Sequence, residues 1–272
     1  MFWNRNKNNT SSATMTTRTI TMKPPAGEVY KLFLDALEQP HLLIAGATGS
    51  GKSVLINGLV DTLMYRNPFD QKGGAQLILV DPKRVELAAY KPLPHTVAHA
   101  AGFDPSAWVS ALSKAVSIMD SRYDYMERIG LKNYDKGDLY VVIDEWASVF
   151  KNGGKDAYKA VLRLISEGRA AKVHVIMATQ IPKANIIPSE IRENFSARFC
   201  LFTNNAVQSR VIMDANGCED LPDPRTAGYA EAFYVKPGKN NRTRVKLPYV
   251  HDDEIEENIA WWKEQKRING II

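Results

Sequence analysis

A lysine, a hydroxyl and two carboxylates mark the chemistry open to this sequence. Lys52 and Ser53 close the stretch HLLIAGATGSGKS, residues 41–53, where the spacing from Gly46 fits the phosphate-binding pattern G-x-x-x-x-G-K-[ST]. In that pattern the backbone N–H groups of Gly46, Ala47, Thr48, Gly49, Ser50 and Gly51 turn inward around an anion, because glycine at 46, 49 and 51 accepts angles that a Cβ resists. Lys52 then reaches the β and γ phosphates of a nucleotide such as ATP, and the Ser53 hydroxyl reaches Mg²⁺. Asp144 and Glu145 follow the apolar run LYVVI. An aspartate there holds the water shell of Mg²⁺, and a glutamate beside it orients and deprotonates an attacking water. A base for water points to a hydrolase, since a kinase must keep water out. Gln180, at the end of HVIMATQ, presents an amide that can sense the γ phosphate; the alternative is a polar strand end facing solvent.

These residues need strands that end together. HLLIAG, QLILVD, LYVVID, HVIMATQ and RFCLFT are apolar throughout, as strands buried on both faces of a parallel sheet are. Between them KSVLINGLVDTLMYR, PSAWVSALSKAVSIMDSRYDYMERIG and DAYKAVLRLISEGRAA repeat apolar residues at helical spacing. This βαβα rhythm predicts an α/β fold with a wound, mainly parallel sheet, and a helix beginning near Gly51 adds its positive end to the anion site. AEAFYV and TRVKLPYV flank the turn KPGKNN and predict an antiparallel edge hairpin. HDDEIEENIAWWKEQKR predicts a closing helix capped by Asp252 or Asp253. His95 and His99 fall near Pro94 in an expected loop and, with no further His or Cys at ligand spacing, read as structural.

Composition narrows the class. The chain of 272 residues is 44% hydrophobic and 24% charged, ordinary values for a folded domain, and suits one principal unit over residues 26–272. Residues 1–25 lack any acidic side chain, are rich in Asn, Thr and Ser, and read as a flexible basic arm with a short strand at RTITM. No run is apolar and long enough for a signal peptide or a membrane span, so a cytoplasmic location is expected. Two cysteines, Cys200 and Cys218, exclude a disulfide framework and read as packing residues. The net charge of +5 permits nucleic-acid binding without requiring it. VKPGKNNRTRVKL gathers Lys236, Lys239, Arg242, Arg244 and Lys246 without a carboxylate, and reads first as a solvated hairpin.

Taken together, PHLLIAGATGSGKS, LVDPKRVEL, VVIDEWA, EGRAAKVHVIMATQIP, SRVIMDANGCEDL and FYVKPGKNNRTRVKLPYVHDDEI resemble, in order and spacing, the motor domain of the FtsK/SpoIIIE family of DNA translocases. The resemblance runs from Pro40 to the closing helix. It implies a RecA-like P-loop NTPase using ATP and Mg²⁺, assembled as a homo-oligomeric ring, usually a hexamer, with DNA, duplex rather than single-stranded, passing through its pore. It assigns Lys52 and Ser53 to nucleotide and metal, Asp144 and Glu145 to metal and catalysis, Gln180 to sensing, and Arg169 to an arginine finger reaching a neighbour's site, where such a group adds about 10³ to 10⁵ in rate. The alternative for Arg169 is a helix-end arginine satisfying carbonyls. Asp81-Pro82-Lys83 is a further family feature to which no chemical role attaches.

The departures concern the pore. The family usually carries an arginine after ATQ, where this chain has Ile181, with Lys183 two residues on; a lysine of the second pore loop is replaced by Ala206, while Arg210 remains. If DNA is the cargo, Lys183 and Arg210, helped by Asn204 and Asn205, are the expected phosphate contacts. The family's membrane region and winged-helix module are not among the matching segments, so the expectation is a stand-alone engine like those of plasmids and conjugative elements, serving conjugative transfer or partition with a relaxase or membrane protein as recruiting partner. Two rivals stay open: a protein-secretion ATPase of the same superfamily, for which the altered pore leaves room, and a non-motor P-loop NTPase.

Overall fold

Alternate residues of the central strands feed two separate cores, and the helices follow from that division. The computed structural model of the chain describes residues 27–66, 74–236, 242–248 and 252–268. Within them one sheet has β1 (His41–Ala45), β2 (Gln76–Asp81), β3 (Thr96–Ala101), β4 (Leu139–Ile143), β5 (Val173–Thr179), β6 (Ala197–Leu201), β7 (Glu231–Val235) and β8 (Thr243–Lys246), in the order β3-β2-β4-β5-β1-β6-β7-β8. The first six in that order are parallel; β7 and β8 add antiparallel at one edge, as the turn between them predicts.

On β4, Leu139, Val141 and Ile143 face a core shared with α3 (Pro105–Ile129), α4 (Trp146–Asn152) and α5 (Gly154–Glu167), whose large members are Trp108, Trp146 and Leu164. Tyr140 and Val142 face the opposite core, with Phe33, Leu59 and Trp262 from α1 (Gly27–Leu37), α2 (Lys52–Arg66) and α9 (Asp252–Ile268). Burial on both faces explains why these strands read as unbroken apolar runs. Helix ends follow local chemistry: the Asp104 carboxylate accepts from the amides of Ser106 and Ala107, Pro105 opens α3, and Gly130 at φ 73° closes it.

Several expectations need correction. Thr96–Ala101 is the edge strand β3 and not a loop; His99 lies on it, opposite Leu79 of β2, and His95 is buried just before it, edge-on to Trp262 at 4.9 Å. Edge position explains the weak pattern, since most of β3 is only half-buried. Among the described residues no group of three or more His, Cys, Asp or Glu could hold a metal ion. The helix expected over DAYKAVLRLISEGRAA is α5, which begins at Gly154 and ends at Glu167, and a further, unexpected helix, α4, precedes it across Gly153. Asp252 and Asp253 lie inside the first turn of α9. Cys200 and Cys218 are buried free thiols. The arm of residues 1–25 and Lys239 lie outside the described residues. No helix among the described residues is long and apolar enough to cross a membrane.

Candidate functional site

Because β5 sits between β1 and β4, the C-terminal ends of these three strands meet at one edge, and the loops that leave them carry the predicted residues. The loop after β1 is anchored on both sides: the Gly46 amide donates to the Thr179 carbonyl of β5 at 3.4 Å, and the Ala47 amide donates to the Phe202 carbonyl beyond β6 at 2.8 Å. The Ser50 amide donates to Ala47 O at 3.1 Å. These three amides therefore hold the loop, a correction to the expectation that all turn toward the anion. The amides of Thr48, Gly49, Gly51 and Lys52 donate to no backbone carbonyl among the described residues and are the ones open to a phosphate. Gly49 and Gly51 take φ of 76° and 96°, the left-handed angles expected. Gly46 has no positive φ; a Cβ there would lie 2.6 Å from Ser50 Oγ and 2.8 Å from Leu201 Cβ, so close approach is its reason.

Lys52 opens α2 and folds back over the loop, its Nζ donating to Gly46 O at 2.8 Å and Ala47 O at 2.9 Å. Burial lowers its ammonium to about 8 against the opposing pull of Glu145 and Asp144. Ser53 follows it in the first turn, half-exposed. Asp144 is 5% exposed, and burial, then the charges of Glu86 and Asp81, raise its carboxyl to about 7. Its Oδ2 and the Ser50 hydroxyl are buried without a hydrogen-bond partner. An orphaned hard oxygen at a phosphate loop suits Mg²⁺, which takes one or two protein oxygens and keeps phosphates and waters for the rest.

Glu145 is held from β5 and β2. Its Oε1 accepts from Thr179 Oγ1 at 3.0 Å and from the Gln180 amide at 3.1 Å, and its Oε2 pairs with Lys83 Nζ at 3.3 Å. Gln180 also meets the phosphate loop: Thr48 Oγ1 donates to Gln180 Oε1 at 2.9 Å, leaving the amide NH₂ as donor. Lys83 has its place because buried Asp81 accepts from the amides of Lys83 and Leu87, both at 3.1 Å, and fixes the turn after β2. Asp81 and Lys83 thus gain a geometry that their motif alone did not supply. Arg225, in α8 (Pro224–Ala227), was missed entirely: its Cδ would lie 3.3 Å from a Cβ on Gly49, while its guanidinium pairs with Asp223 at 2.5 Å. No spacing rule links a residue so far along the chain to the loop it covers.

The remaining predicted residues lie away from this cluster. Arg169 is exposed after α5, in the turn leading into the N-terminal end of β5. Seven residues of β5 separate that edge from Gln180, about 20 Å at 3.3 Å per residue, so Arg169 cannot serve its own chain's phosphate loop. Lys183 is exposed in the loop after β5, which Trp146 Nε1 fastens by donating to Ile186 O at 2.8 Å. Asn204 and Asn205 precede α7 (Ala206–Met213); Asn205 Oδ1 caps it by accepting the Gln208 amide at 3.0 Å, and Arg210 donates to Asn216 Oδ1 at 2.9 Å. The two loops leave the same edge on either side of β1, and α6 (Ser189–Arg192) joins them as Arg192 donates to Val211 O at 3.3 Å. In the edge hairpin, folding supplies what the local sequence lacks: Lys236 pairs with Asp35, Arg244 with Glu231, Arg242 packs on Phe233 and bonds Asn216 O, and Lys246 covers Tyr229.

The FtsK/SpoIIIE family matches residues 7–140. The chain is similar to the DNA translocase FtsK of Helicobacter pylori (strain J99 / ATCC 700824), 34% identical over 247 residues covering 86% of this chain and 28% of the relative. It is also similar to that of Rhizobium meliloti (strain 1021), 35% identical over 273 residues covering 85% and 30%. The chain therefore spans less than a third of the length of these relatives. In fold it is similar to the cytoplasmic domain of the Thermomonospora curvata type VII secretion ATPase EccC, with TM-score 0.69, 21% identity and coverage of 82% of this chain and 28% of that one. The pCW3 conjugation coupling protein TcpA gives TM-score 0.68, 22% identity and coverage of 84% and 66%.

Proposed function

The chain belongs to the FtsK/SpoIIIE family, and from that membership and the site above we propose that it is an ATP-hydrolysing motor that moves DNA. The observation that carries the reading is the convergence of the phosphate loop, Asp144, Glu145 and Gln180 on one sheet edge, with Glu145 bonded to the strand end that bears Gln180. The free amides of Thr48, Gly49, Gly51 and Lys52, with the first turn of α2, cradle the β and γ phosphates. Lys52 Nζ exchanges the carbonyls of Gly46 and Ala47 for phosphate oxygens. Ser53 Oγ and Asp144 would hold Mg²⁺, which when bound neutralises charge on the phosphates. Glu145 takes a proton from the attacking water, and the Gln180 NH₂ donates to the γ phosphate while its Oε1 holds Thr48.

Arg169, at the opposite edge from its own loop, acts on the nucleotide of the adjoining subunit, so the working unit is a ring of copies, with six as the family's usual number. Lys183, Asn204, Asn205 and Arg210 face the pore and touch phosphates, which leaves the grip independent of sequence. Asn205 contributes through its Nδ2, since its Oδ1 caps α7. Of the hairpin cations, Lys236 and Arg244, paired with Asp35 and Glu231, contribute little. Transfer of a mobile element's DNA, with a relaxase or membrane protein recruiting the ring, fits an engine of this kind in the cytoplasm. The test is steady-state ATP hydrolysis with and without duplex and single-stranded DNA. Stimulation by duplex supports the reading; hydrolysis indifferent to both nucleic acids favours a protein-secretion ATPase, and no hydrolysis favours a non-motor nucleotide-binding protein.

A further inference from the structure

We infer that Lys83 is a positioning residue that latches Glu145 and holds hydrolysis back, because only in a minority of nucleotide-bound molecules does the lysine swing away toward the phosphates and free the base. The inference rests on Glu145 as the base for water. Glu145 Oε1 accepts from Thr179 Oγ1 at 3.0 Å and from the Gln180 amide at 3.1 Å, and that amide reaches Oε2 only at 3.3 Å, so Oε2 is the less committed oxygen, the one better placed to take a proton, and it is the oxygen that Lys83 holds at 3.3 Å. A carboxylate oxygen committed to an ammonium is a weaker proton acceptor and is turned toward its partner.

The turn that carries Lys83 is built for this aim. Asp81 is fully buried at the end of β2, and both its oxygens are spent on the turn's own amides, those of Lys83 and Leu87. Pro82 fixes one backbone angle between them. Arg84 takes a left-handed φ of 61°, and the amides of Arg84 and Gly102 both donate to Asp81 O, at 3.3 and 2.8 Å. So rigid a turn presents one flexible cation to the end of the neighbouring strand β4. The pair is unequal: the Lys83 side chain is 41% exposed and that of Glu145 only 7%. Half-exposed ion pairs are weak and their lysines leave readily, whereas a triphosphate in the same cleft offers several negative charges at once. Lys52, by contrast, is buried on the carbonyls of the loop and is not the cation that can exchange with Glu145.

The experiment measures DNA-free ATP hydrolysis by the full chain carrying Lys83→Ala, Lys83→Met or Lys83→Arg. Freeing Glu145 should raise kcat about fivefold in the first two, the factor that an ion pair of this exposure can hold back, with KM unchanged within twofold. Lys83→Arg restores the pairing charge and should return the rate to that of the unaltered protein. Equilibrium binding of a fluorescent ATP analogue, expected to be equal in all variants, reports that the cleft is intact. A kcat for both Lys83→Ala and Lys83→Met at or below the unaltered value, with analogue binding preserved, overturns the latch. A loss of analogue binding in both also overturns it, since Lys83 would then be part of the nucleotide cradle. Glu145→Gln separates the two readings: normal turnover in that variant refutes Glu145 as base, while an inactive Glu145→Gln beside an unaccelerated Lys83→Ala refutes the latch alone.

Discussion

Asp144→Asn should make the metal-free protein more stable at neutral and alkaline pH. Asp144 is buried beside Glu86 and Asp81, and its carboxyl is raised from 3.8 to about 7. A raised carboxyl binds its proton more tightly in the folded than in the unfolded chain, so stability falls as pH rises between these two values. The cost is absent below about pH 4 and complete above about pH 7, the window set by the unfolded and folded values. Three units correspond to on the order of 4 kcal/mol. Water entering an open cleft screens part of this cost and leaves about 2 kcal/mol as the expected gain on removing the charge. For a chain of this size that is a rise in Tm of about 5 °C. Thermal unfolding in a chelating buffer at pH 8, 6 and 4 measures it: the gain should be largest at pH 8 and vanish at pH 4. With Mg²⁺ and a non-hydrolysable ATP analogue the order should reverse, because only the unaltered protein binds the cation through Asp144. A loss of stability at pH 8, or a gain of equal size at every pH, would refute the reasoning.

Lys52→Ala should abolish nucleotide binding, whereas Glu145→Gln should keep it and slow turnover by about 10² to 10⁴, as loss of a general base does; fluorescence titration and steady-state hydrolysis separate the two. Arg169→Ala subunits mixed with Lys52→Ala subunits should recover part of the lost hydrolysis, since an intact loop can then meet an intact finger. Failure to recover any, in rings confirmed by light scattering, would place Arg169 outside catalysis. Lys183→Ala and Arg210→Ala should each lower the magnitude of the salt dependence of DNA affinity by about one unit, uniformly across sequences. Lys236→Ala and Arg244→Ala, whose cations are paired with Asp35 and Glu231, should leave that slope unchanged.

What the sequence made legible was local. A buried strand, a small-residue loop and a helix follow one another within HLLIAGATGSGKS, and the apolar run before Asp144 is equally compact. Two-faced burial wrote the parallel strands as continuous hydrophobic runs, which is why β1, β2, β4, β5 and β6 could be read directly. β3 escaped because an edge strand buries less and its TVAHAA mixes alanine with histidine. α4 escaped because seven residues give hardly two turns of periodicity. At the site, residue types were legible and their partners were not. Which loop amides face an anion depends on Thr179 and Phe202 taking the Gly46 and Ala47 amides, a matter of strand order. The pairing of Lys83 with Glu145 needs β2 beside β4, and the contact of Arg225 with Gly49 needs the chain to return after β6. Spacing within a segment carries no information of that kind.

Movement along DNA is the claim on which the rest depends, and displacement of a third strand from a duplex tests it most directly. Assembled protein is given a DNA duplex carrying a short triplex at one end, and release of the third strand is followed as ATP is added. The account predicts release with ATP, none with a non-hydrolysable analogue, and none with Glu145→Gln even though that variant binds ATP and DNA. Hydrolysis stimulated by DNA while the third strand stays in place would contradict it, as would release by Glu145→Gln.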